Sequence, residues 1–365
     1  MSEQANTVET RGHALADTDM SGADTVVQVL ADEGVDTIFG YSGGAILPIY
    51  DAVFRYNENH APGAGQDAMQ LVVPANEQGA GFMAAGYARA SGQVGVVMVT
   101  SGPGATNTVT PVRDCMADSV PIVVITGQVP TAAIGTDAFQ EAPVAAIMGA
   151  VAKHVFLVTD AEMLEETMRS AFELARTGRP GPVVVDIPKD VQNWRGPFKG
   201  TGTLPLHGYH RRLAKVEENI LSDEACERFY TLLSESERPL IYAGGGVINA
   251  NATKPMRRLA NEYGIPVTTT LMALGASDTT HPLALHMLGM HGLASANYAV
   301  EDCDFLIAIG ARFDDRVAGN PGQFAPRAKN VAHFDVDFAE IGKVKRANWH
   351  HVGLLERDLT DMLAY

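Results

Sequence analysis

The sequence predicts an α/β protein with two doubly wound parallel-sheet domains that a linker joins. Unbroken apolar, β-rich runs alternate with helix-like stretches, which is typical of strands buried on both faces of a parallel sheet. The 365 residues, of which 46% are hydrophobic and 19% charged, are enough for two or three domains with cores of their own. We therefore expect a first domain over 20–190, a linker over 191–214 and a second domain over 215–365.

The first domain is predicted from a regular succession of helices and strands after Ser21. Val26, Val29 and Leu30 would share one face of a helix that ends near Gly34. Apolar β-rich runs and helical periods then alternate. The predicted strands cover 37–39, 71–73, 95–100, 121–126 and 182–187, and the predicted helices cover 79–91 and 162–176.

The hydrophobic periodicity of the sequence is lost after Asp190. Residues 192–212 contain Trp194, glycines and prolines without a helical or strand period, which is typical of a linker. A second alternation of helices and strands follows and predicts the second domain. Its predicted elements are a helix from Asp223, strands over 240–243, 266–270, 305–309 and 331–336, and a helix over 254–263.

The charge balance excludes one class of function. The chain has 43 acidic and 27 basic residues, a formal net charge of -16 at pH 7. A protein that binds nucleic acid by neutralising phosphates needs the opposite balance, and an anionic membrane surface would repel this chain. We expect no nucleic-acid or membrane partner. Because only 8 of the bases are lysines, the acidity is also, by analogy, typical of a surface that stays soluble in a high-salt cytoplasm.

The cysteines and the amino-terminal segment predict the compartment. Cys115, Cys226 and Cys303 are widely spaced and odd in number, which supports neither a disulfide framework nor a zinc site. The first twenty residues are polar and acidic, unlike a signal or transit peptide, and no apolar run approaches the ~18 residues of a membrane helix. We expect buried thiols in a cytoplasmic protein.

Glycine-rich turns follow several predicted strands, at 40–44, 102–104, 127 and 244–246. Glycine lets the backbone approach a ligand, and a following helix N-terminus attracts phosphate. A tight turn from strand to helix would also explain each of them. The sequence contains neither G-x-G-x-x-G nor G-x-x-x-x-G-K-[ST], so it predicts neither the standard dinucleotide fingerprint nor a P-loop.

Two polar features of the sequence each allow a functional and a structural interpretation, and a third argues against a metal site. Glu77, at the start of a predicted helix, could serve catalysis or merely favour the helix dipole. The segment Arg-Phe-Asp-Asp-Arg at 312–316 could be a surface ion-pair cluster or a clamp for a diphosphate or a ribose. His281, His286 and His291 do not stand at metal spacing with an acid, so no metal site is predicted.

Short motifs run in order along nearly the whole chain. The earlier ones are Ile-Phe-Gly-Tyr-Ser-Gly-Gly-Ala at 38–45, Asn-Glu-Gln-Gly-Ala at 76–80, Thr-Ser-Gly-Pro-Gly-Ala-Thr-Asn at 100–107 and Gly-Gln-Val-Pro at 127–130. The later ones are Gly-Thr-Asp-Ala-Phe-Gln-Glu at 135–141, Gly-Arg-Pro-Gly-Pro at 178–182, Met-Leu-Gly-Met-His-Gly at 287–292 and the segment 312–316. Together they resemble the acetolactate (acetohydroxyacid) synthase family. The early motifs are shared by many thiamine-diphosphate enzymes, whereas the last two are typical of the biosynthetic, FAD-containing synthase.

By this resemblance, the first domain would bind the pyrimidine ring of thiamine diphosphate. Glu77 would hydrogen bond the ring and favour its imino tautomer, whose nitrogen removes the thiazolium C2 proton. The resulting ylid would attack pyruvate, carbon dioxide would leave, and the enamine would add to a second 2-oxo acid. The resemblance also places further residues at the cofactor or the substrate channel, although turns and loop packing would explain them too. They are Gly43, Ala45, Pro130, Phe139, Gln140 and Lys189.

The resemblance further implies that the second domain binds FAD. No redox step occurs in the reaction, so the flavin would be structural. Its glycines would let backbone amides reach the diphosphate, and Asp335, at a strand end, would suit a ribose hydroxyl. The matching positions are Arg179 in the first domain, then Gly245, Thr270, Leu271, Met272, Ala273, Leu288, Gly289, Met290, His291, Gly310, Ala311, Arg312, Phe313, Asp314, Arg316, Asp335 and Val336.

The sequence departs from the family pattern at four places. Ser42 stands where the family usually has Pro, and Asn76 where it usually has His; either change could alter substrate handling. A polar stretch over 57–68 would lengthen a surface loop. The chain ends at Tyr365, whereas the family continues for roughly one more domain. That domain carries a Gly-Asp-Gly motif that holds Mg²⁺ and the cofactor diphosphate, so we expect either a fragment or a domain supplied by another chain.

The sequence thus favours the first two domains of an acetolactate synthase catalytic subunit, acting on pyruvate and a second 2-oxo acid in branched-chain amino-acid synthesis. The resemblance implies a homodimer or homotetramer and allows a regulatory small subunit. Two alternatives remain. A related carboligase such as glyoxylate carboligase would keep the thiamine site but lack the two narrow motifs, and a truncated, non-catalytic paralogue would bind FAD and turn nothing over.

Overall fold

The computed structural model describes residues 13–60 and 68–365, which form two compact units with their boundary between Pro205 and Leu206. The boundary falls within the predicted linker. Each unit contains a parallel sheet with helices on both faces, so the predicted fold class is confirmed. The three cysteines are free and buried, as predicted.

The first unit contains a long parallel sheet and a short antiparallel ribbon. Its strands are β1 (Asp19–Ser21), β2 (Thr37–Tyr41), β3 (Gln70–Val72), β4 (Gly95–Val99), β5 (Ile122–Gln128), β6 (His154–Leu157), β7 (Val183–Pro188) and β8 (Arg195–Pro197). Among the described residues, the parallel sheet has the order β3-β2-β4-β5-β7-β6, and β1 pairs with β8. Strands β4, β5 and β7 are buried along their whole length, which explains their unbroken apolar sequence.

The helices of the first unit lie on both faces of this sheet. They are α1 (Gly22–Asp32), α2 (Leu47–Asn59), α3 (Glu77–Ser91), α4 (Pro103–Thr106), α5 (Val109–Asp118), α6 (Val144–Gly149), α7 (Leu164–Arg176) and α8 (Lys189–Asn193). Local chemistry sets the limits of α3. The side chain of Asn76 accepts the Gly79 amide at its start, and Gly92 takes φ 76° at its end.

The second unit repeats the alternation of strands and helices. Its strands are β9 (Pro239–Ala243), β10 (Val267–Thr269), β11 (Ala284–Met287), β12 (Phe305–Ile309), β13 (Asn330–Asp335) and β14 (Trp349–Val352). Its helices are α9 (His207–Glu218), α10 (Asp223–Ser234), α11 (Gly246–Asn249), α12 (Thr253–Tyr263), α13 (Ala294–Asp302), α14 (Asp315–Ala318) and α15 (Leu355–Ala364).

The second sheet has the strand order of dinucleotide-binding domains. The described strands are parallel in the order β11-β10-β9-β12-β13-β14, so the first strand of the unit lies beside the fourth. In open sheets of this order, ligands bind outside the carboxyl ends of the strands at the point where the order reverses. Here the reversal lies between β9 and β12.

The structure corrects three details of the sequence analysis. The predicted linker over 191–214 is irregular only in part, because β8 pairs with β1 and α9 begins at His207. Gly40 and Gly127 belong to strands and not to turns, and an ideal Cβ at either would lie within 2.6 Å of a neighbouring carbonyl oxygen. The polar stretch 57–68 begins inside α2, which ends at Asn59. The side chain of Asn57 forms two hydrogen bonds with the backbone of Met69. Residues 61–67 lie outside the described ranges.

Candidate functional site

The predicted cofactor residues of the first unit follow the carboxyl ends of its strands. Since these strands are parallel, their carboxyl ends share one edge of the sheet, and the strand order reverses there between β2 and β4. The residues that the structure brings to this edge are Gly43 and Ala45 after β2, Glu77 after β3, Pro130, Phe139 and Gln140 after β5, and Lys189 after β7. The edge therefore has the placement expected of a ligand crevice.

Glu77 is the first residue of α3, and its side chain is buried. The helix N-terminus favours a negative charge at this position. Oε2 accepts a hydrogen bond from Nδ2 of Asn107 at 2.9 Å, while no residue in the described ranges donates one to Oε1. An ideal Cβ on Gly104 would lie 3.6 Å from Oε1, in ordinary van der Waals contact, so Gly104 lies beside the oxygen that has no donor. Such a carboxylate can exchange a hydrogen bond or a proton with a ligand.

Tyr50 lies close enough to Glu77 to respond to its charge. Burial first, and then the negative charge of Glu77, raise the pKa of the Tyr50 phenol. The phenol therefore stays neutral and donates a hydrogen bond to the carbonyl oxygen of Met98 at 3.0 Å. This bond fixes the tyrosine against β4 beside the carboxylate.

Thr100 packs closely against two glycines at the crevice, Gly43 and Gly104. An ideal Cβ on Gly43 would lie 2.5 Å from Cγ2 of Thr100, and one on Gly104 would lie 2.7 Å from the same atom. The Thr100 hydroxyl accepts a hydrogen bond from the amide of Ala45 at 3.3 Å. Glycine at 43 therefore lets one loop pack against another, which is a structural role that the sequence analysis had left open.

The loop that carries Phe139 and Gln140 is held by hydrogen bonds within the loop and by close packing against Gly102. Both oxygens of Glu141 accept backbone amides of this loop, which lowers the pKa of that carboxyl. Gln140 has φ 57°, and an ideal Cβ on Gly102 would lie 2.5 Å from its carbonyl oxygen. Phe139 is 88% exposed. The loop thus presents an aromatic ring and an amide side chain to whatever lies outside the sheet edge.

Two buried polar residues behind the crevice, Gln192 and Asp186, escaped the sequence analysis. Gln192 donates hydrogen bonds from Nε2 to the carbonyl oxygens of Ala45 and Ile187, each at 2.8 Å. Asp186 accepts hydrogen bonds from the Thr126 hydroxyl at 2.6 Å and from Gln128 at 2.9 Å. A lone acid within the apolar strand β7 was the available sequence signal for Asp186. The bond from Gln192 to Ala45 holds the loop after β2 in place, and the bonds of Asp186 tie β7 to β5.

The predicted flavin residues of the second unit also gather at one edge of their sheet. Gly245 follows β9, Thr270 follows β10, Leu288 follows β11, Gly310 follows β12, and Asp335 is the last residue of β13. The rest lie in the same loops: Leu271, Met272 and Ala273; Gly289, Met290 and His291; Ala311, Arg312, Phe313, Asp314 and Arg316; and Val336.

Close backbone packing shapes this second edge. An ideal Cβ on Gly244 would lie 2.1 Å from the carbonyl oxygen of Gly310, and one on Gly245 would lie 2.9 Å from Cβ of Met272. The amide of Met290 donates a hydrogen bond to the carbonyl oxygen of Arg316 at 2.8 Å. The loops after β9, β10, β11 and β12 therefore form one continuous rim.

The side chains on this rim divide into buried and accessible ones. Ala273, Leu288, Ala311 and Phe313 belong to the hydrophobic cores, so only their backbone faces the rim. Leu271, Met290 and Arg316 are largely exposed. The rim thus offers apolar and cationic side chains together with backbone amides.

Two polar groups make the rim suitable for a nucleotide. The hydroxyl oxygen of Thr270 is buried and has no hydrogen-bond partner among the described residues, and such a group is expected to bind a ligand or water. Asp335 is buried, and its Oδ1 accepts the amide of Asp337 at 2.9 Å. Asp314 caps α14 by accepting the amide of Arg316 at 3.0 Å, so part of the 312–316 segment has a local structural role.

Arg179 is the one predicted flavin residue that belongs to the first unit. It lies in the first unit, just before β7 and hence at the edge opposite Glu77. Its Nε donates a hydrogen bond to the hydroxyl of Ser119 at 2.9 Å. A flavin contact from Arg179 remains a prediction.

The two departures within the motifs have different explanations. Asn76 is the cap of α3 described above, a role for which its amide is well suited. Ser42 is exposed, and nothing in the structure explains why it replaces the usual proline. Within 13–60 and 68–365, no group of three His, Cys, Asp or Glu side chains could hold a metal ion, and no helix is long and apolar enough to cross a membrane.

Comparison with known families places both units. Residues 20–148 match the family described as "Thiamine pyrophosphate enzyme, N-terminal TPP binding domain". Residues 226–362 match "Thiamine pyrophosphate enzyme, central domain". The first match contains the Glu77 crevice, and the second contains the rim.

Individual relatives are similar along nearly the whole chain. The chain is 46% identical to the acetolactate synthase large subunit of Corynebacterium glutamicum over 347 residues, 95% of this chain and 53% of the relative. It is 47% identical to the probable acetolactate synthase large subunit of Methanocaldococcus jannaschii over 350 residues, 94% of this chain and 56% of the relative. For the mitochondrial acetolactate synthase catalytic subunit of Saccharomyces cerevisiae the identity is 45% over 336 residues, 89% of this chain and 47% of the relative. The chain thus spans about half the length of the curated relatives it matches.

Proposed function

Because the chain belongs to the acetolactate synthase family of thiamine pyrophosphate enzymes, we propose that it provides the pyrimidine-binding and central domains of a catalytic subunit that forms acetolactate. The reaction would join pyruvate to pyruvate or 2-oxobutyrate with loss of carbon dioxide, as a step of branched-chain amino-acid synthesis. The observation that carries the proposal is the buried Glu77 at the crevice between β2 and β4, whose Oε2 accepts the amide of Asn107 while Oε1 has no hydrogen-bond donor among the described residues.

The residues of the crevice fit the pyrimidine half of thiamine diphosphate. When bound, this cofactor supplies an acidic thiazolium carbon that adds to the carbonyl of a 2-oxo acid and takes up the electrons released on decarboxylation. Glu77 would hold a proton between Oε1 and N1′ of the pyrimidine, which shifts the ring toward its imino form. Thr100 and Gly43 would set the depth of the crevice, and Phe139 and Gln140 would lie over its mouth.

We also propose that the rim of the second unit binds FAD. The strand order, the close packing of Gly244 on Gly310, and the unpartnered hydroxyl of Thr270 support a nucleotide there. Asp335 would accept a ribose hydroxyl, and Arg316 would approach the diphosphate. Since the condensation has no net redox change, the flavin would hold the rim together and take no part in the chemistry.

The diphosphate of thiamine requires further groups. The resemblance assigns it, together with Mg²⁺, to a third domain, and the relatives' greater length would accommodate one. Neutralisation by a divalent ion is needed because the chain itself carries a net charge of -16. We propose that the diphosphate and Mg²⁺ bind to such a domain, provided in the same chain or by another.

An exposed apolar face beside Glu77 supports self-association. Phe82 and Met83 on α3, and Val73 just before it, are exposed although they are large and hydrophobic. We propose that a second copy covers this face in a homodimer or a larger homo-oligomer, and that a regulatory small subunit can join it. The free, buried cysteines support a reducing compartment, which we propose is the cytoplasm.

The test is acetolactate formation from pyruvate with thiamine diphosphate, Mg²⁺ and FAD. It compares the 365-residue chain with a fusion that adds the remaining length of a relative, at low and high salt. We expect product from the fusion only, because the ring contacts of the crevice cannot by themselves neutralise the diphosphate. Robust product from the 365 residues alone would show that the diphosphate site has been misplaced.

The same fusion tests Glu77. Glu77→Gln should keep the fold and slow C2 proton exchange by several orders of magnitude, because an amide cannot share the pyrimidine proton as a carboxylate does. Gln78→Ala, one residue further along the same helical turn and exposed, is the matched control and should exchange at the wild-type rate. Near-normal exchange in Glu77→Gln would reject the proposed role.

A further inference from the structure

Glu77 meets Asn107 across the crevice, 30 residues further along the chain. Nδ2 of Asn107 and Oε2 of Glu77 are 2.9 Å apart. An ionised carboxylate can only accept hydrogen bonds, so the group of Asn107 that faces it is the amide NH₂. The side chain of Asn107 is otherwise exposed, and its backbone amide donates to the carbonyl oxygen of Pro103 at 3.0 Å.

The backbone holds both residues of the pair in place. Glu77 begins α3, while Asn107 lies between α4 and α5. The two regions approach closely at Gly81, where an ideal Cβ would lie 2.4 Å from Cγ of Pro111. Because α3 and α5 are packed backbone against side chain, the distance from Glu77 to Asn107 is a property of the fold.

The bond makes the two oxygens of Glu77 unequal. Oε2 accepts the amide of Asn107, whereas Oε1 has no hydrogen-bond donor among the described residues and lies near Gly104. A carboxylate free to rotate would offer either oxygen in several orientations, and fixing the geometry of a reacting group contributes to catalysis by removing that freedom. Asn107 also donates as a neutral amide, so it orients the carboxylate without neutralising the charge that the pyrimidine proton needs.

We infer that Asn107 is a positioning residue for Glu77: it holds Oε2 so that Oε1 alone meets N1′ of the aminopyrimidine. This inference rests on the proposed function of the crevice. It predicts that loss of the amide weakens the contact with N1′ specifically, and does not weaken the other contacts of the cofactor.

The experiment measures how strongly the site distinguishes two ligands. One is thiamine diphosphate, and the other is its pyridine analogue, in which carbon replaces N1′. Dissociation constants are measured by calorimetry with Mg²⁺ on the fusion described above. A hydrogen bond to a charged group is worth a preference of about ten- to a hundredfold for thiamine diphosphate in the wild type. In Asn107→Ala we expect that preference to fall by about three- to tenfold, and affinity for the analogue to stay unchanged.

Two further variants make the result interpretable. Thr106→Ala removes the exposed hydroxyl of the last residue of α4, whose one hydrogen-bond partner among the described residues is the carbonyl oxygen of Pro103, and should keep the wild-type preference. Glu77→Ala should abolish the preference. In kinetic terms, Asn107→Ala should lower kcat and the rate of C2 proton exchange and leave the KM for pyruvate unchanged.

Each outcome decides between the two ideas. A wild-type preference in Asn107→Ala, with none in Glu77→Ala, overturns the inference and leaves the proposed function standing. Equal weakening of both ligands in Asn107→Ala would show a merely structural role and also overturns it. An undiminished preference in Glu77→Ala would reject the proposed function itself, because Glu77 would then not contact N1′.

Discussion

Gly244 and Gly310 meet so closely that an ideal Cβ on Gly244 would lie 2.1 Å from the carbonyl oxygen of Gly310. The amide of Gly246 donates a hydrogen bond to the same oxygen at 3.1 Å. The loops after β9 and β12 are thus in contact at the point where the strand order of the second sheet reverses. A nucleotide at this point would lie on two loops whose separation is fixed by backbone atoms.

Gly244→Ala should therefore destabilise the second unit. A Cβ at 2.1 Å from a backbone oxygen cannot be accommodated by a side-chain rotation, so the two loops must separate. We expect a loss of about 2 kcal/mol or more in the free energy of unfolding, and weaker flavin binding with it. Urea unfolding and flavin titration measure the two effects.

Gly208→Ala is the matched control for this substitution. Gly208 is an exposed residue of α9 in the same unit, and among the described residues only the end of the Arg212 side chain approaches its ideal Cβ, at 4.0 Å. Alanine there should stabilise the helix by up to about 1 kcal/mol. Equal stability of the two alanine variants would contradict the rigid contact between the loops.

Thr270→Val should have opposite effects on the free protein and on flavin binding. Valine has nearly the same shape but lacks the buried hydroxyl, which has no partner among the described residues. Without flavin we expect stability to be unchanged or slightly higher. Flavin affinity should fall by about three- to tenfold if the hydroxyl bonds the ligand.

Thr268→Val provides the comparison for this pair of measurements. The hydroxyl of Thr268 donates to the carbonyl oxygen of His286 at 2.9 Å, so its loss should cost about 1 kcal/mol of stability and leave flavin affinity unchanged. Flavin that binds Thr270→Val as tightly as the wild type would remove Thr270 from the site.

The sequence predicted the interior strands of the two parallel sheets and the edge strand β3, but missed the other three edge strands of these sheets. β12 is buried along its whole length and lies at 305–309, as predicted, because burial on both faces of a sheet favours an unbroken apolar sequence. β6, β11 and β14 were not predicted. Each is a short edge strand that is partly exposed and contains histidine, so its sequence lacks the long apolar run that identifies an interior strand.

The position of Glu77 could be predicted, but its environment could not. The motif around it located the carboxylate between a strand and a helix, as the structure has it. Asn107 is the last residue of the motif at 100–107, but the linear sequence does not show that its amide donates a hydrogen bond to Oε2 of Glu77. That contact depends on the packing of α3 against α5, which is a property of the tertiary structure.

Asp186 has a carboxyl group that is buried in β7. Burial raises its pKa from 3.8 to about 6, although hydrogen bonds from Thr126 and Gln128 oppose this shift. Between these two values the unfolded chain has lost the proton and the folded protein retains it. Stability from this group therefore falls as the pH rises from about 4 to about 6, and changes no further above that range.

Asp186→Asn should remove this pH dependence. Asparagine can still accept from Gln128 and can donate to the Thr126 hydroxyl, so the packing is kept. Relative to the wild type, the variant should gain up to about 3 kcal/mol in free energy of unfolding between pH 4 and pH 7.

Asp190→Asn is the control of opposite sign: burial alone would raise the pKa of Asp190, but hydrogen bonds from Thr131 bring it below the ordinary value. Its stabilising contribution is present at neutral pH and is lost on acidification. The free energy of unfolding of Asp190→Asn should therefore lie below that of the wild type at neutral pH, and the difference should shrink as the pH falls. Urea unfolding at several pH values measures both variants, and a free-energy difference between Asp186→Asn and the wild type that does not change with pH would refute the buried-acid interpretation.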